Sequence, residues 1–258
     1  MSWIQAAKRL LQSSPLPSVT FATTCWERDW RTILLDPDYL RLQQIGHHLF
    51  PFTEKLLVIN NVADLAAVKK AAQAKINDGV LTRFVVADDL ASELLPQFHL
   101  SKQDFSSSPL NPNVSSDWLY YNALGPLAAI HAAQSDYLLY LTGDVYLEKP
   151  VSWIPQALRL MQKHPNYKVA NLTWNQNYKE AKKESYSSTK NFYLSRIGFS
   201  DQLFLVKKTD FHQPIYQQIR SDTAHVPRGD VFERRVLSYM KNQGWDRLTY
   251  KKGSYTHK

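Results

Sequence analysis

Two stretches of this sequence carry residue types that can do chemistry together. The first, residues 135–150, reads SDYLLYLTGDVYLEKP. Its run from Tyr137 to Leu141 is apolar at every position, the pattern of a central strand covered on both faces. Thr142, Gly143 and Asp144 follow directly. A carboxylate at the carboxyl end of such a strand stands where open α/β sheets collect their ligands. Gly143 permits a sharp turn and close approach of a large group to the backbone. The same three residues also suit an ordinary Asx-type turn closed by Asp144. The second stretch is the C-terminal one, where Asp230 and Glu233 stand at a helix start and His257 comes late.

The elements that must position these groups alternate between strand and helix. Residues 19–25 and 55–60 are strand-like, and 83–86 form a third short run. Each leads through a polar turn into a helical pattern: Ile33, Leu34 and Leu35 after the first, 65–76 after the second, and 90–95 after Asp88 and Asp89. Residues 98–116, rich in Ser, Asn and Pro, read as an exposed loop. Pro126 lies at or near the start of a helix through Ala133, a position where proline is tolerated. Beyond the apolar strand, Ser152 serves as the N-cap of a helix with Ile154, Leu158 and Met161 on one stripe. Residues 168–174, 192–197 and 203–206 read as strands. Residues 178–190, basic and Ser-rich, read as a loop with the character of a lid. A helix over 231–243 stops at Gly244, and 247–250 make a last strand.

With 258 residues, 44% apolar and 21% charged, the chain suits one large α/β domain. The net charge of +8 favours anionic partners. Cys25 is the single cysteine, which excludes an intrachain disulfide and a Cys-rich zinc site. No apolar run reaches 18 residues and no cleavable signal pattern is present, so a cytoplasmic protein is expected. Residues 1–13 place Trp3, Ala6, Ala7, Leu10 and Leu11 on one stripe beside Lys8 and Arg9. That stripe suits docking on the domain, or a peripheral contact with an anionic membrane at its inner face. The basic residues are scattered and form no nucleic-acid motif, so no specific nucleic acid is expected. Neither G-x-G-x-x-G nor G-x-x-x-x-G-K-[ST] occurs, which disfavours dinucleotide and P-loop chemistry.

An apolar strand, a short polar step, Asp, and then a second apolar segment resembles the metal-binding Asp-x-Asp segment of nucleotide-sugar glycosyltransferases of the GT-A fold, family 2 in particular. Here Thr142 replaces the first Asp, and one carboxylate holds a hard cation less tightly than two. The resemblance implies a single Rossmann-like domain with a mostly parallel central sheet flanked by helices. Its nucleotide-binding part would span about residues 17–150 and its acceptor part about 151–258. It implies a donor site drawing on Thr23, Thr24, Arg28, Asp29, Asn60, Asn61, Asp88, Thr142 and Gly143. It further implies a divalent ion, Mn²⁺ or Mg²⁺, at Asp144 and His257. The base on the acceptor hydroxyl would be Asp230 or Glu233, with Asp201 in reserve. The expected activity is sugar transfer from a nucleotide-sugar donor to a glycan or lipid-linked acceptor, with inversion by analogy to family 2. A nucleotidyltransferase and a basic nucleic-acid-binding protein are the alternatives.

Overall fold

A computed structural model describes residues 15–106, 115–223 and 232–257. The stripe at 1–13 and Asp230 lie outside them. The described chain builds one sheet from strands β1 (Val19–Cys25), β2 (Glu54–Ile59), β3 (Arg83–Val86), β4 (Tyr137–Leu141), β5 (Val145–Tyr146), β6 (Tyr167–Trp174), β7 (Ser187–Ser188), β8 (Phe192–Ser195), β9 (Leu203–Lys207) and β10 (Asp246–His257). Their order is β3-β2-β1-β4-β9-β6-β10-β8-β7, with β5 paired to β10. β3, β2, β1 and β4 are mutually parallel, and β6 and β10 share their direction across the antiparallel β9. The sheet is therefore mostly parallel, with β9, β8 and the short β5 running against it.

The continuous apolar run of β4 is explained by burial on both sides. Leu139 and Leu141 enter a core shared with Phe21, Leu57 and Ile33, under the helices Trp30–Leu35, Leu65–Asn77 and Ile154–Lys163. Leu138 and Tyr140 enter the opposite core with Ala22, Val58 and Phe204, under Ala87–Gln97, Ser116–Ala132 and Glu233–Gln243. Each residue thus has a helix layer to meet, so no polar alternation is required.

Several local expectations are corrected. Pro126 lies inside the Ser116–Ala132 helix rather than at its start. Proline cannot donate to the carbonyl four residues back. One residue before that point the Tyr121 carbonyl accepts from Asn60 Nδ2 at 2.7 Å. Residues 98–106 are not an exposed loop, because Phe98, Leu100 and Phe105 are buried around a short 3-10 turn. The segment expected as a lid forms the helix Tyr178–Lys183 and then β7. Asp88 and Asp89 sit in the first turn of Ala87–Gln97 rather than before it. Trp153, not Ser152, is the N-cap of Ile154–Lys163. Gly244 does end the last helix, in the left-handed region with φ 65°.

The C-terminal strand departs most from expectation. Only residues 247–250 read as strand, yet β10 runs for 12 residues. It pairs with β6, shifts register between Tyr250 and Ser254, and then meets β5 with His257 opposite Val145. That irregularity bends the strand back toward the end of β4. Among the described residues no helix is long and apolar enough to cross a membrane.

Candidate active site

The loop after β4 is held from below by side chains with no obvious sequence signature. Tyr39 Oη donates to the Gly143 carbonyl at 2.8 Å. Gln44 Nε2 reaches the Val145 carbonyl at 2.8 Å and those of Gly143 and Thr142 at 3.2 and 3.3 Å. Both residues belong to the irregular helical stretch from Trp30 to His48. A β-carbon on Gly143 would stand 2.6 Å from Asp29 Oδ2, 2.6 Å from the Thr24 carbonyl and 2.7 Å from Ile33 Cδ1. Only glycine lets the loop lie this close to β1.

With the loop fixed, Asp144 is presented at the carboxyl end of β4. Thr142 Oγ1 donates to Asp144 Oδ1 at 2.8 Å, and His257 Nε2 lies 3.1 Å from Asp144 Oδ2. Thr142, in the place of the first expected Asp, is thus a hydrogen-bond partner of the carboxylate. Gln202 Nε2 lies 3.3 Å from His257 Nδ1, and Tyr255 Oη donates to Gln202 Oε1 at 3.3 Å. The ring of His257 is thus held between the Gln202 amide at Nδ1 and the Asp144 carboxylate at Nε2. Burial pushes the Asp144 carboxyl up, but the His257 hydrogen bond and charge outweigh it and hold its pKa below the ordinary carboxylate range. The same hydrogen bond raises the pKa of His257 against a smaller opposing effect of burial.

Asp144 opens into a cleft of about 450 Å³ at the carboxyl ends of β1 and β4. Ten of the sequence candidates line it: Thr24, Arg28, Asp29, Asn60, Thr142, Gly143, Asp144, Asp201, Glu233 and His257. Trp26, Trp118, Tyr121, Asn122, Gly125, Tyr140 and Gln202 complete the lining, and none of these was a sequence candidate. Asn60 is buried, and its Oδ1 has no hydrogen-bond partner among the described residues. An orphaned acceptor on a cleft wall is satisfied when a ligand donor arrives.

Three candidates stand elsewhere. Thr23 is fully buried and does not line the cleft, since successive residues of β1 face opposite sides of the sheet. Asn61, with φ 50°, lines a neighbouring depression of about 320 Å³ beside Trp26 and Arg28. Asp88 is exposed on its helix and lines neither space.

Asp29, Asp201 and Glu233, which share the cleft with Asp144, all have raised pKa values. Burial, with Asp144 adding repulsion, pushes Asp29 up to about 7, although it accepts from the Trp26 amide at 2.6 Å. Asp201 is raised by burial against a 3.4 Å hydrogen bond from Asn122. Glu233 is raised well above its ordinary value by burial and by Asp201, with Arg247 opposing. Burial and mutual repulsion thus both disfavour the doubly charged state of the pair, a perturbation that proton-transfer groups often show.

No family model matches the chain, and no curated protein sequence is similar to it. Solved structures do match. GalNAc-T7 with UDP, GalNAc and Mn²⁺ superposes with a TM-score of 0.55 over 95% of this chain and 44% of that one, at 11% identity. Mannosyltransferase PcManGT from Pyrobaculum calidifontis, in complex with GDP-Man and Mn²⁺, gives 0.53 over 99% of this chain and 63% of that one, at 12% identity. At such identities the likeness is one of fold. This chain has the GT-A glycosyltransferase fold, and it spans less than two thirds of the length of either structure.

Proposed function

We propose that the chain is a glycosyltransferase whose cleft takes a nucleotide-sugar donor and a divalent cation, Mn²⁺ or Mg²⁺, and passes the sugar to a hydroxyl of an acceptor. One observation carries this reading. Asp144 with His257, and Asp201 with Glu233, meet in a single cleft at the carboxyl ends of parallel strands, although they are spread over 114 positions of sequence (144 to 257 inclusive). The neighbours of the same fold were solved with UDP, GalNAc and Mn²⁺ and with GDP-Man and Mn²⁺, which agrees with it.

Among the described residues no group of three or more His, Cys, Asp or Glu is placed to hold a metal. Asp144 and His257 still fit a cation that shares its shell with a ligand. Mg²⁺ is commonly bound through one or two carboxylates with substrate phosphates and water, and an imidazole shifts the preference toward Mn²⁺. Bound there, the ion would neutralise the charge that develops on the departing diphosphate.

The protein's own side chains supply the rest. Asn60 Oδ1 and the Thr24 hydroxyl offer the donor polar contacts, and exposed Arg28 offers a positive charge to its phosphates. One carboxylate of the Asp201 and Glu233 pair takes the proton of the acceptor hydroxyl. The acceptor oxygen then forms a bond to the sugar's anomeric carbon. The bond from that carbon to the phosphate oxygen breaks, and its electron pair leaves with the nucleoside diphosphate. Asp230 remains the other candidate base. Inversion follows if the acceptor attacks from the face opposite the diphosphate. Nucleotide binding falls to residues 17–150 and acceptor binding to 151–258.

A thermal-shift screen of UDP- and GDP-sugars with and without Mn²⁺ tests this. A donor at 100 times its Kd stabilises the native state by about 2.7 kcal/mol. A shift that requires Mn²⁺ supports the reading. No shift with any nucleotide sugar rejects it.

A further inference from the structure

The backbone of His257 is held by Asn175. Its amide donates to Asn175 Oδ1 at 2.9 Å, and its carbonyl accepts from Asn175 Nδ2 at 3.4 Å. The state of the ring is left to the side chains around it: Asp144 Oδ2 lies 3.1 Å from Nε2, and the Gln202 amide lies 3.3 Å from Nδ1. Gln202 is itself tied to the loop that carries Asp144. Its carbonyl accepts from the Thr142 amide at 3.0 Å, and its own backbone amide donates to Ser200 Oγ at 3.3 Å. Buried Tyr255 closes the chain, with Oη 3.3 Å from Gln202 Oε1 and 3.2 Å from Ser200 Oγ. The polar chain therefore runs Ser200, Tyr255, Gln202, His257, Asp144.

A side-chain amide donates at one end and accepts at the other, and half a turn about its last bond exchanges the two. With nitrogen toward Nδ1, a neutral ring accepts there and keeps its proton on Nε2, against Asp144. Tyr255 then donates to Gln202 and accepts from Ser200. With oxygen toward Nδ1, the ring donates there and Nε2 keeps its lone pair. The amide nitrogen then donates to Tyr255, and Tyr255 donates to Ser200. Both directions keep the chain paired, because the bond between Ser200 and Tyr255 runs either way. They differ in one chemical respect. A ring nitrogen ligates a cation only through a lone pair, so Nε2 beside Asp144 is a ligand in the second direction and a hydrogen-bond donor in the first.

We propose that Gln202 is a positioning residue that selects the tautomer of His257. Its amide oxygen, turned to Nδ1, holds the ring proton there and leaves Nε2 free for the divalent cation; its nitrogen, turned to Nδ1, leaves the proton on Nε2 for Asp144 when no cation is bound. The assignment rests on the reading of Asp144 and His257 as the cation site of a glycosyltransferase.

Long-range ¹H–¹⁵N NMR of the histidine rings at about pH 9, where an ordinary histidine is neutral, reads the position of the proton. The spectrum of His257→Ala assigns the signal among the 8 histidines. In the parent Nε2 carries the proton without cation, and Nδ1 carries it with Mg²⁺ and UDP or GDP. In Gln202→Glu, whose carboxylate only accepts, Nδ1 carries it with no cation present, a result that added negative charge alone does not give. Mn²⁺ affinity in the presence of nucleotide, read by EPR of the free ion, falls about ten-fold in Gln202→Leu, the effect of losing an outer partner of a ligating histidine. Gln202→Glu, nearly the same shape as the parent, binds Mn²⁺ at least as tightly, and it carries the test alone if the leucine variant fails to fold. Three results overturn the role of Gln202: a parent tautomer that does not change on cation binding, Nε2 still protonated in cation-free Gln202→Glu, or parent-like Mn²⁺ affinity in Gln202→Leu. A parent that binds nucleotide but no Mn²⁺ overturns the cation site instead, and one that binds neither UDP nor GDP overturns the glycosyltransferase reading.

Discussion

Replacing Asp29 by Asn should make the protein more stable, and increasingly so as the pH rises. Asp29 lies against the Gly143 loop, half-buried and facing the charge of Asp144, and its pKa is pushed from 3.8 up to about 7. An acid with a raised folded pKa binds more protons folded than unfolded between about pH 4 and pH 7. It therefore subtracts stability as the pH climbs through that window, and the loss is complete above it. A shift of this size corresponds to roughly 4 kcal/mol at its limit. Asparagine keeps a carbonyl oxygen for the Trp26 amide, which now meets Asp29 Oδ1 at 2.6 Å, and carries no charge. Urea denaturation of parent and Asp29→Asn at pH 5 and pH 8 reads the effect. The variant's advantage should widen by roughly 2–3 kcal/mol between the two pH values. Parallel stability at both would show that Asp29 titrates as an exposed acid, and that the cleft is wetter and less repulsive than its geometry implies.

Gly143→Ala should lower stability by about 1–3 kcal/mol through overpacking, because its methyl group meets Asp29, the Thr24 carbonyl and Ile33; an unchanged Tm would mean the loop has room. Glu233→Gln and Asp201→Asn, assayed on a donor and acceptor pair, should lower turnover about 100-fold for the residue acting as base while donor binding survives. Activity kept in both would move the base to Asp230. Mn²⁺ affinity should fall as the pH drops through the titration of His257, because the protonated ring cannot ligate. The hydrogen bond to Asp144 raises that pKa, so the loss begins above the ordinary histidine value of about 6.5, and His257→Ala should flatten the dependence.

What was legible in the sequence was the parallel half of the sheet. The β4 run needed no alternation to be recognised, and the acid beyond it marked the cleft. The expectation for β1 matches the structure residue for residue, because Val, Thr and Phe cluster there without a break. Thr23 and Thr24 were not separable, since a strand buried on both faces does not reveal which side opens to the ligand. Tyr39 and Gln44 were invisible for another reason. A single Gln that caps three carbonyls of a distant loop leaves no periodicity, and the stretch that carries it is an irregular helix. Pro126 misled because a proline is best tolerated in the first turn of a helix, whereas here the helix runs through it from Ser116 to Ala132. The reach of β10 to Asp144 depends on a change of register at residues 250–254, a feature that local composition does not announce.

The most direct test of the central claim is anomalous diffraction from crystals soaked with UDP or GDP and MnCl₂, collected near the manganese edge. One strong peak is expected within about 2.0–2.5 Å of an Asp144 carboxylate oxygen, beside the diphosphate and His257. Asp144→Ala crystals should lack that peak. A nucleotide bound away from the cleft, or a diphosphate seated beside Asp144 with no manganese at saturating metal, would contradict it.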